Sequence, residues 1–257
     1  MTSLRQIINQ VRQKAANRKS GFLSYGVELD TELLARQYRE VRSKAPERHL
    51  EGRKYLLERT GIPSSTKSSN RNEEHLAIAL WDKFQKPNAM FLPNGQRLEF
   101  LDYQVPLKAV QSDGGVGKVD ILGLIDVERL AILELKVKGG DTPLAATLEA
   151  LVYAAIIEAN LKDIGQELQN IGCQRLKPGP PEIIVLGRAD YWQVFNEYDE
   201  AWLLKLAPVL SDIAQALSIT VQFIELETGQ LEMGLRGIAP KLDGEVRATV
   251  LFSSRKR

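Results

Sequence analysis

Glu134 and Lys136 stand two residues apart in the apolar run RLAILELKV, so any strand built from it carries both on one face, because successive side chains alternate. The preceding run, KVDILGLID, carries Asp120. Only Val127 and Glu128 separate the two stretches, a spacing that suits a hairpin whose loop is Asp126, Val127 and Glu128. If Ile125 pairs with Arg129, every cross-strand pair sums to 254, and Asp120 lies opposite Glu134 with Cβ atoms about 4.5–5.5 Å apart. Two carboxylates that close repel unless one is protonated or a cation lies between them. With a lysine one step along the same face, the set suits metal-assisted hydrolysis of a phosphodiester. The cation would neutralise the phosphate and lower the pKa of a bound water, while the lysine orients that water or stabilises developing charge.

Composition narrows the metal. The single Cys173 excludes an intramolecular disulfide and a structural zinc cluster, and His49 and His75 are too few for zinc chemistry built on several imidazoles. A hard cation held by carboxylates, Mg2+ or Mn2+, is the expected cofactor. With 44% apolar and 26% charged residues the chain has the makings of an ordinary globular core. No stretch approaches the roughly 20 uninterrupted apolar residues of a membrane helix, and MTSLRQIINQ lacks the layout of a secretory signal. The expectation is a cytoplasmic protein with no membrane partner. Net charge is +1, but residues 1–67 hold 14 Lys and Arg against 7 Asp and Glu, leaving the remainder acidic. A basic arm beside an acidic body fits a nucleic-acid partner, DNA ahead of RNA, and it equally fits plain solvated helix faces.

The elements that must position these residues follow from periodicity. LRQIINQVRQKAANR and ELDTELLARQYREVRSK read as helices, with Leu4, Ile8, Val11 and then Leu33, Leu34, Tyr38, Val41 as their apolar positions. TGIPSSTKSSN is a linker or loop. These boundaries give an N-terminal helical extension over 1–67 and an α/β domain over 68–257. Asn72 can cap a helix through EEHLAIALWDKF. QRLEFLDYQVPLKAV is extended, and the two runs bearing Asp120 and Glu134 follow. Thr142 and Pro143 open a helix through TLEALVYAAIIEA. EIIVLGR reads as a buried strand, Asp199 to Leu217 as a helix, and SITVQFIELE and EVRATVLF as late strands. Strands this apolar need helices on both sides of a mixed sheet.

GKVDILG followed by AILELKV resembles the core of the PD-(D/E)XK phosphodiesterases, the superfamily of restriction endonucleases, archaeal Holliday junction resolvases and RecB-type nucleases. The resemblance covers about residues 72–190 and implies a restriction-endonuclease-like mixed sheet with Asp120, Glu134 and Lys136 as catalytic residues. It further implies an acidic metal ligand from the preceding helix. NEEHLAIALW offers Glu73 or Glu74, with Glu73 preferred because it lines up with Ala77, Leu80 and Phe84; the metal set is then Glu73, Asp120 and Glu134. RecB-like members carry Q-x-x-x-Y on the next helix. Here Glu149 and Tyr153 hold that spacing, with Glu in place of Gln, and the Pro that commonly precedes the Asp is absent. The implied activity is a divalent-metal-dependent DNA nuclease, with a homodimer left open as the arrangement for cutting both strands.

Each residue also has a plainer reading. Glu134, Lys136 and Asp120 fit a half-exposed strand with its polar side in water. Glu73 and Glu74 suit the first turn of a helix on dipole grounds alone. Glu149 and Tyr153 fit surface and core positions, and His75 a partly buried helix residue. Tyr191, Trp192 and Phe195 of YWQVF either stack on bases or pack a core. The alternative to a nuclease is an inactive nuclease-fold module for nucleic-acid binding or assembly.

Overall fold

The computed structural model describes residues 3–17, 21, 29–57, 59–63, 72–114, 116–172, 176–234 and 237–255. Cys173, Gly115 and most of the expected linker TGIPSSTKSSN lie outside them. In chain order come helices α1 (Leu4–Asn17), α2 (Thr31–Ser43) and α3 (Asn72–Phe84), then strands β1 (Met90–Phe91), β2 (Arg97–Pro106), β3 (Lys118–Ile125) and β4 (Arg129–Lys136). Helices α4 (Pro143–Ala159) and α5 (Leu161–Asn170) lead to β5 (Glu182–Arg188), α6 (Ala189–Tyr198) and α7 (Trp202–Leu217). The chain ends with β6 (Val221–Glu227), β7 (Leu231–Glu232), β8 (Lys241–Leu242) and β9 (Arg247–Ser253).

Seven strands form one mixed sheet in the order β1-β2-β3-β4-β5-β6-β9, and β7 and β8 make a separate ribbon. The pairs β1-β2, β2-β3 and β3-β4 are antiparallel, β4-β5 and β5-β6 are parallel, and β9 returns antiparallel to β6. The strands at the centre are apolar on both sides because helices cover both. Leu130 and Ile132 of β4 share a core with α1, α2, α4 and α7, whereas Ala131, Leu133 and Leu135 share the other with α3. The fold is therefore a seven-stranded mixed α/β sheet flanked by helices.

Local signals account for the element that matters most to the site. Thr142 Oγ1 accepts from the Ala145 amide at 3.3 Å and Pro143 occupies the first turn, so α4 starts where the chain leaves the sheet. α4 is apolar nearly all round, as a helix sandwiched between sheet and further helices must be. Its outer side is covered by the N-terminal helices. Leu4, Ile7, Ile8 and Val11 of α1 and Leu34 and Tyr38 of α2 are buried in the same core as the sheet, and Tyr38 Oη donates to Glu158 Oε2 at 2.9 Å. The described helices of the expected extension, α1 and α2, thus form an outer layer sharing the core of the sheet. α7 begins at Trp202 rather than near Asp199, because the Asp199 carboxylate accepts from the Ala201 amide and its carbonyl from Trp202, making a turn first. Among the described residues no single helix is long and apolar enough to cross a membrane.

Candidate functional site

The hairpin has the register expected from its loop, running from Ile125 opposite Arg129 to Ile121 opposite Leu133. Beyond Leu133 the two ladders of β4 part. Pairing with β5 continues to Lys136 opposite Gly187, while pairing with β3 stops. The Leu135 amide points into that opening and donates to Asp120 Oδ2 at 3.0 Å. On the other side, β2 pairs Tyr103 with Ile121 and Val105 with Val119, which brings Gln104 alongside Asp120. Gln104 sits in the left-handed region with φ 47°, and its Nε2 donates to Asp120 Oδ1 at 3.0 Å. Its carbonyl accepts from Arg59 Nη2 at 2.9 Å, and Arg59 Nε is held by buried Asp102 at 2.8 Å. Both oxygens of Asp120 are thereby fixed from the two flanking strands.

Glu134 and Lys136 are each 4% exposed, which excludes the half-exposed strand with these two in water. Lys136 Nζ donates to Glu134 Oε1 at 2.8 Å and stands 3.7 Å from Glu73 Oε1. Glu134 Oε2 is buried without a hydrogen-bond partner. Glu73 arrives from the first turn of α3, on the opposite side of the sheet, around the strand ends. Gly140 allows this approach, since a Cβ there would lie 3.1 Å from Glu73 Oε1 and 3.4 Å from Lys136 Cδ. From α4, Tyr153 Oη donates to Glu149 Oε1 at 2.9 Å. Tyr153 Oη also packs against Gly117, where a Cβ would stand 2.4 Å from it.

Burial dominates the electrostatics. It pushes the Asp120 carboxyl up to about 6, against the pull of Lys136 and the Leu135 amide, with Glu73 and Glu149 adding to the rise. It drives Glu134 well above the usual carboxylate range, helped by the charge on Asp120. Lys136 is buried too, yet Glu134, Asp120 and Glu73 together overcome desolvation and hold its ammonium proton more firmly than usual. Near neutral pH, then, Asp120 is largely ionised and Lys136 is an ammonium. Tyr153 is raised by burial and by Glu134, Glu149 and Asp120, so its hydroxyl remains a donor.

Of the residues expected from sequence, Asp120, Glu134, Lys136 and Glu73 come together, and Glu149 and Tyr153 join them from α4. Glu74 is buried, and its charge acts on His75 and Tyr103. His75 is buried, and its Nδ1 accepts from the Gly234 amide at 3.0 Å. Tyr191, Trp192 and Phe195 are core residues at 1%, 1% and 6% exposure, which removes them as a base-stacking surface. Two residues that sequence reasoning passed over also belong here. One is Gln104, which the β2-β3 pairing would have revealed. The other is Arg12 of α1, whose Nη2 donates to Glu149 Oε2 at 2.9 Å and whose Nε donates to Asp141 Oδ2 at 2.9 Å. Among the described residues no three His, Cys, Asp or Glu side chains already stand as a cation cage. The ammonium of Lys136 lies between Glu134 and Glu73 instead. No protein-family model, curated protein or solved structure matches this chain.

Proposed function

We infer that this protein is a divalent-metal-dependent nuclease of the PD-(D/E)XK, restriction-endonuclease-like type, hydrolysing phosphodiester bonds of DNA. The observation that carries the reading is a pair of acids just past the last β3–β4 pair, Ile121 opposite Leu133, in which a buried carboxylate oxygen, Glu134 Oε2, has no partner while Lys136 touches its twin. A buried polar atom left unsatisfied in a folded protein is costly, and such atoms concentrate where a ligand completes the group.

The residues fit Mg2+ or Mn2+. Oxygen donors from Asp120 and Glu134 are the ligands hard cations select, Glu73 is the third acid at hand, and the orphaned oxygen is the place such an ion would satisfy. When bound, the cation would supply charge neutralisation at the phosphate and a more acidic water. The protein's own groups do the rest. Asp120 is held in one orientation by Leu135 and Gln104. Lys136 keeps its proton and so presents a fixed positive charge to the phosphoryl oxygens. Tyr153 and Glu149 form a hydrogen-bonded wall on the α4 side.

A second reading, an inactive nuclease-fold module that binds nucleic acid, is favoured by one feature: Lys136 already bridges Glu134 and Glu73, so the acids are not preset around a void. Incubation of labelled DNA and RNA with purified protein in Mg2+, Mn2+ or EDTA decides between them. Cleavage of DNA only with the metal, abolished in Lys136→Ala, is expected. Association without cleavage and without calorimetric Mn2+ binding at millimolar concentration establishes the module, and vigorous cutting by Lys136→Ala refutes the assigned roles.

A further inference from the structure

Arg12 lines two cavities that the acids and lysine of the site leave unexplained. One, of about 370 Å3, lies between α1, the turn Lys138–Thr142 and α6, and includes Gly140, the residue packed on Glu73 and Lys136. The other, of about 570 Å3, lies between α1 and α2 and includes Gly117, Glu149 and Tyr153. Arg12 belongs to both linings, and its guanidinium is ion-paired to Asp141 and Glu149. Its side chain is 39% exposed, so it is reachable from solvent. Lys138 lines the first cavity, and Arg5 and Lys44 the second.

We propose that Arg12 is a substrate-phosphate ligand, parked on Asp141 and Glu149 in the free protein and surrendered by them to a phosphate of the nucleic-acid backbone. The proposal rests on the nuclease reading for its substrate class. Three arguments support it. The planar fork of a guanidinium matches phosphate as well as it matches carboxylate, so exchange between them conserves the hydrogen-bond geometry. The acids of the site, joined by Asp141 and Glu149, would repel a polyanion unless a cation stands at the approach, and Arg12 is the cation at the junction of both cavities. Arg12 is also the residue common to both linings, one of which includes Gly140, beside Glu73 and Lys136, and the other Tyr153.

The test measures binding without cleavage: fluorescence anisotropy of labelled single-stranded and duplex oligonucleotides in EDTA, across a salt series. Arg12→Ala should bind about tenfold more weakly, with the slope of log affinity against log salt reduced by about one, the signature of one lost phosphate contact. Arg12→Lys should recover most of the affinity because it keeps the charge. Asp141→Asn should bind more tightly than the wild type, since it releases Arg12. Wild-type affinity in Arg12→Ala, or no gain in Asp141→Asn, overturns the proposal while leaving the nuclease reading intact. Early melting of Arg12→Ala and Arg12→Lys alike, with equal loss of binding, assigns Arg12 to the packing of α1 and also overturns it. A wild-type protein that binds no polynucleotide but does bind Mn2+ removes the substrate class and the proposal together.

Discussion

Replacing Asp120 by Asn should make the metal-free protein more stable at neutral pH. The fold raises this carboxyl from an ordinary 3.8 to about 6, chiefly by burial. Folding therefore takes up a proton between those pH values, and the stability associated with the group falls as pH rises through that interval. At pH 7 the ionised side chain costs about 3 kcal/mol, whereas at pH 4 the cost shrinks to about 0.6 kcal/mol. Asn removes the charge and can still accept from the Leu135 amide, and Gln104 can rotate its amide to face the new NH2 group. Relief of repulsion on Glu134 has the same sign, because the Asp120 charge helps to raise that group. For a chain of this size 3 kcal/mol corresponds to roughly 6–12 °C in Tm. Thermal melting of both proteins in EDTA from pH 4 to 7 should show a gap that opens with pH. Mn2+ at a hundred times its Kd would then add about 2.7 kcal/mol to the wild type and little to the variant. A variant that melts at or below the wild type at pH 7, or a gap indifferent to pH, would refute the reasoning that burial strains this carboxylate.

Gln104→Gly relaxes a left-handed backbone position while deleting the donor to Asp120, so Tm should hold or rise while Mn2+ affinity by calorimetry falls about 10- to 100-fold; a parallel loss of stability would mean Gln104 is a packing residue. Gly117→Ala sets a methyl group against the Tyr153 hydroxyl and should reduce DNA cleavage. Combining it with Tyr153→Phe tests that contact, a coupling of about 0.5–3 kcal/mol in melting free energy being expected and strict additivity counting against it.

Much of the site was readable from local rules, and what was missed depended on distant parts of the chain. The hairpin register that sets Asp120 and Glu134 one step past its last pair, Ile121 opposite Leu133, needed only alternation and a loop length, both properties of neighbouring residues. Choosing Glu73 over Glu74 needed only the 3.6-residue period of α3, and Glu149 with Tyr153 only a one-turn spacing on α4. Arg12 is different: it meets Asp141 across a separation of 129 residues, so no window of sequence contains the pair. Its α1 periodicity was legible, yet periodicity says which side is apolar and nothing about which helix it covers. Gln104 was hidden for a second reason. Its φ of 47° breaks strand geometry at one residue, and Gln is no marker of a left-handed position as Gly or Asn would be. The apolar character of the YWQVF cluster allowed two meanings, and only its burial beside Phe223 and Trp202 decided for the core.

The position of the site follows from a conflict in sheet topology. β4 has an antiparallel neighbour on one side and a parallel neighbour on the other, and it tracks the second three residues further than the first. A backbone amide exposed by such a parting must find an acceptor or be left buried and unpaired. Asp120 is that acceptor for Leu135, which explains why an acid is tolerated at the end of an apolar strand. Glu134 and Lys136 continue along β4 beyond that parting, with the Lys136 ammonium between Glu134 and Glu73. α4 meets this cluster through Tyr153 and Glu149, and the first turn of α3 meets it through Glu73. Hydrophobic strands on both sides make this cluster dry enough to unsettle its carboxylates, which the paired strands hold in place. A charged ligand that relieves them is thus favoured by the same packing that makes the protein fold.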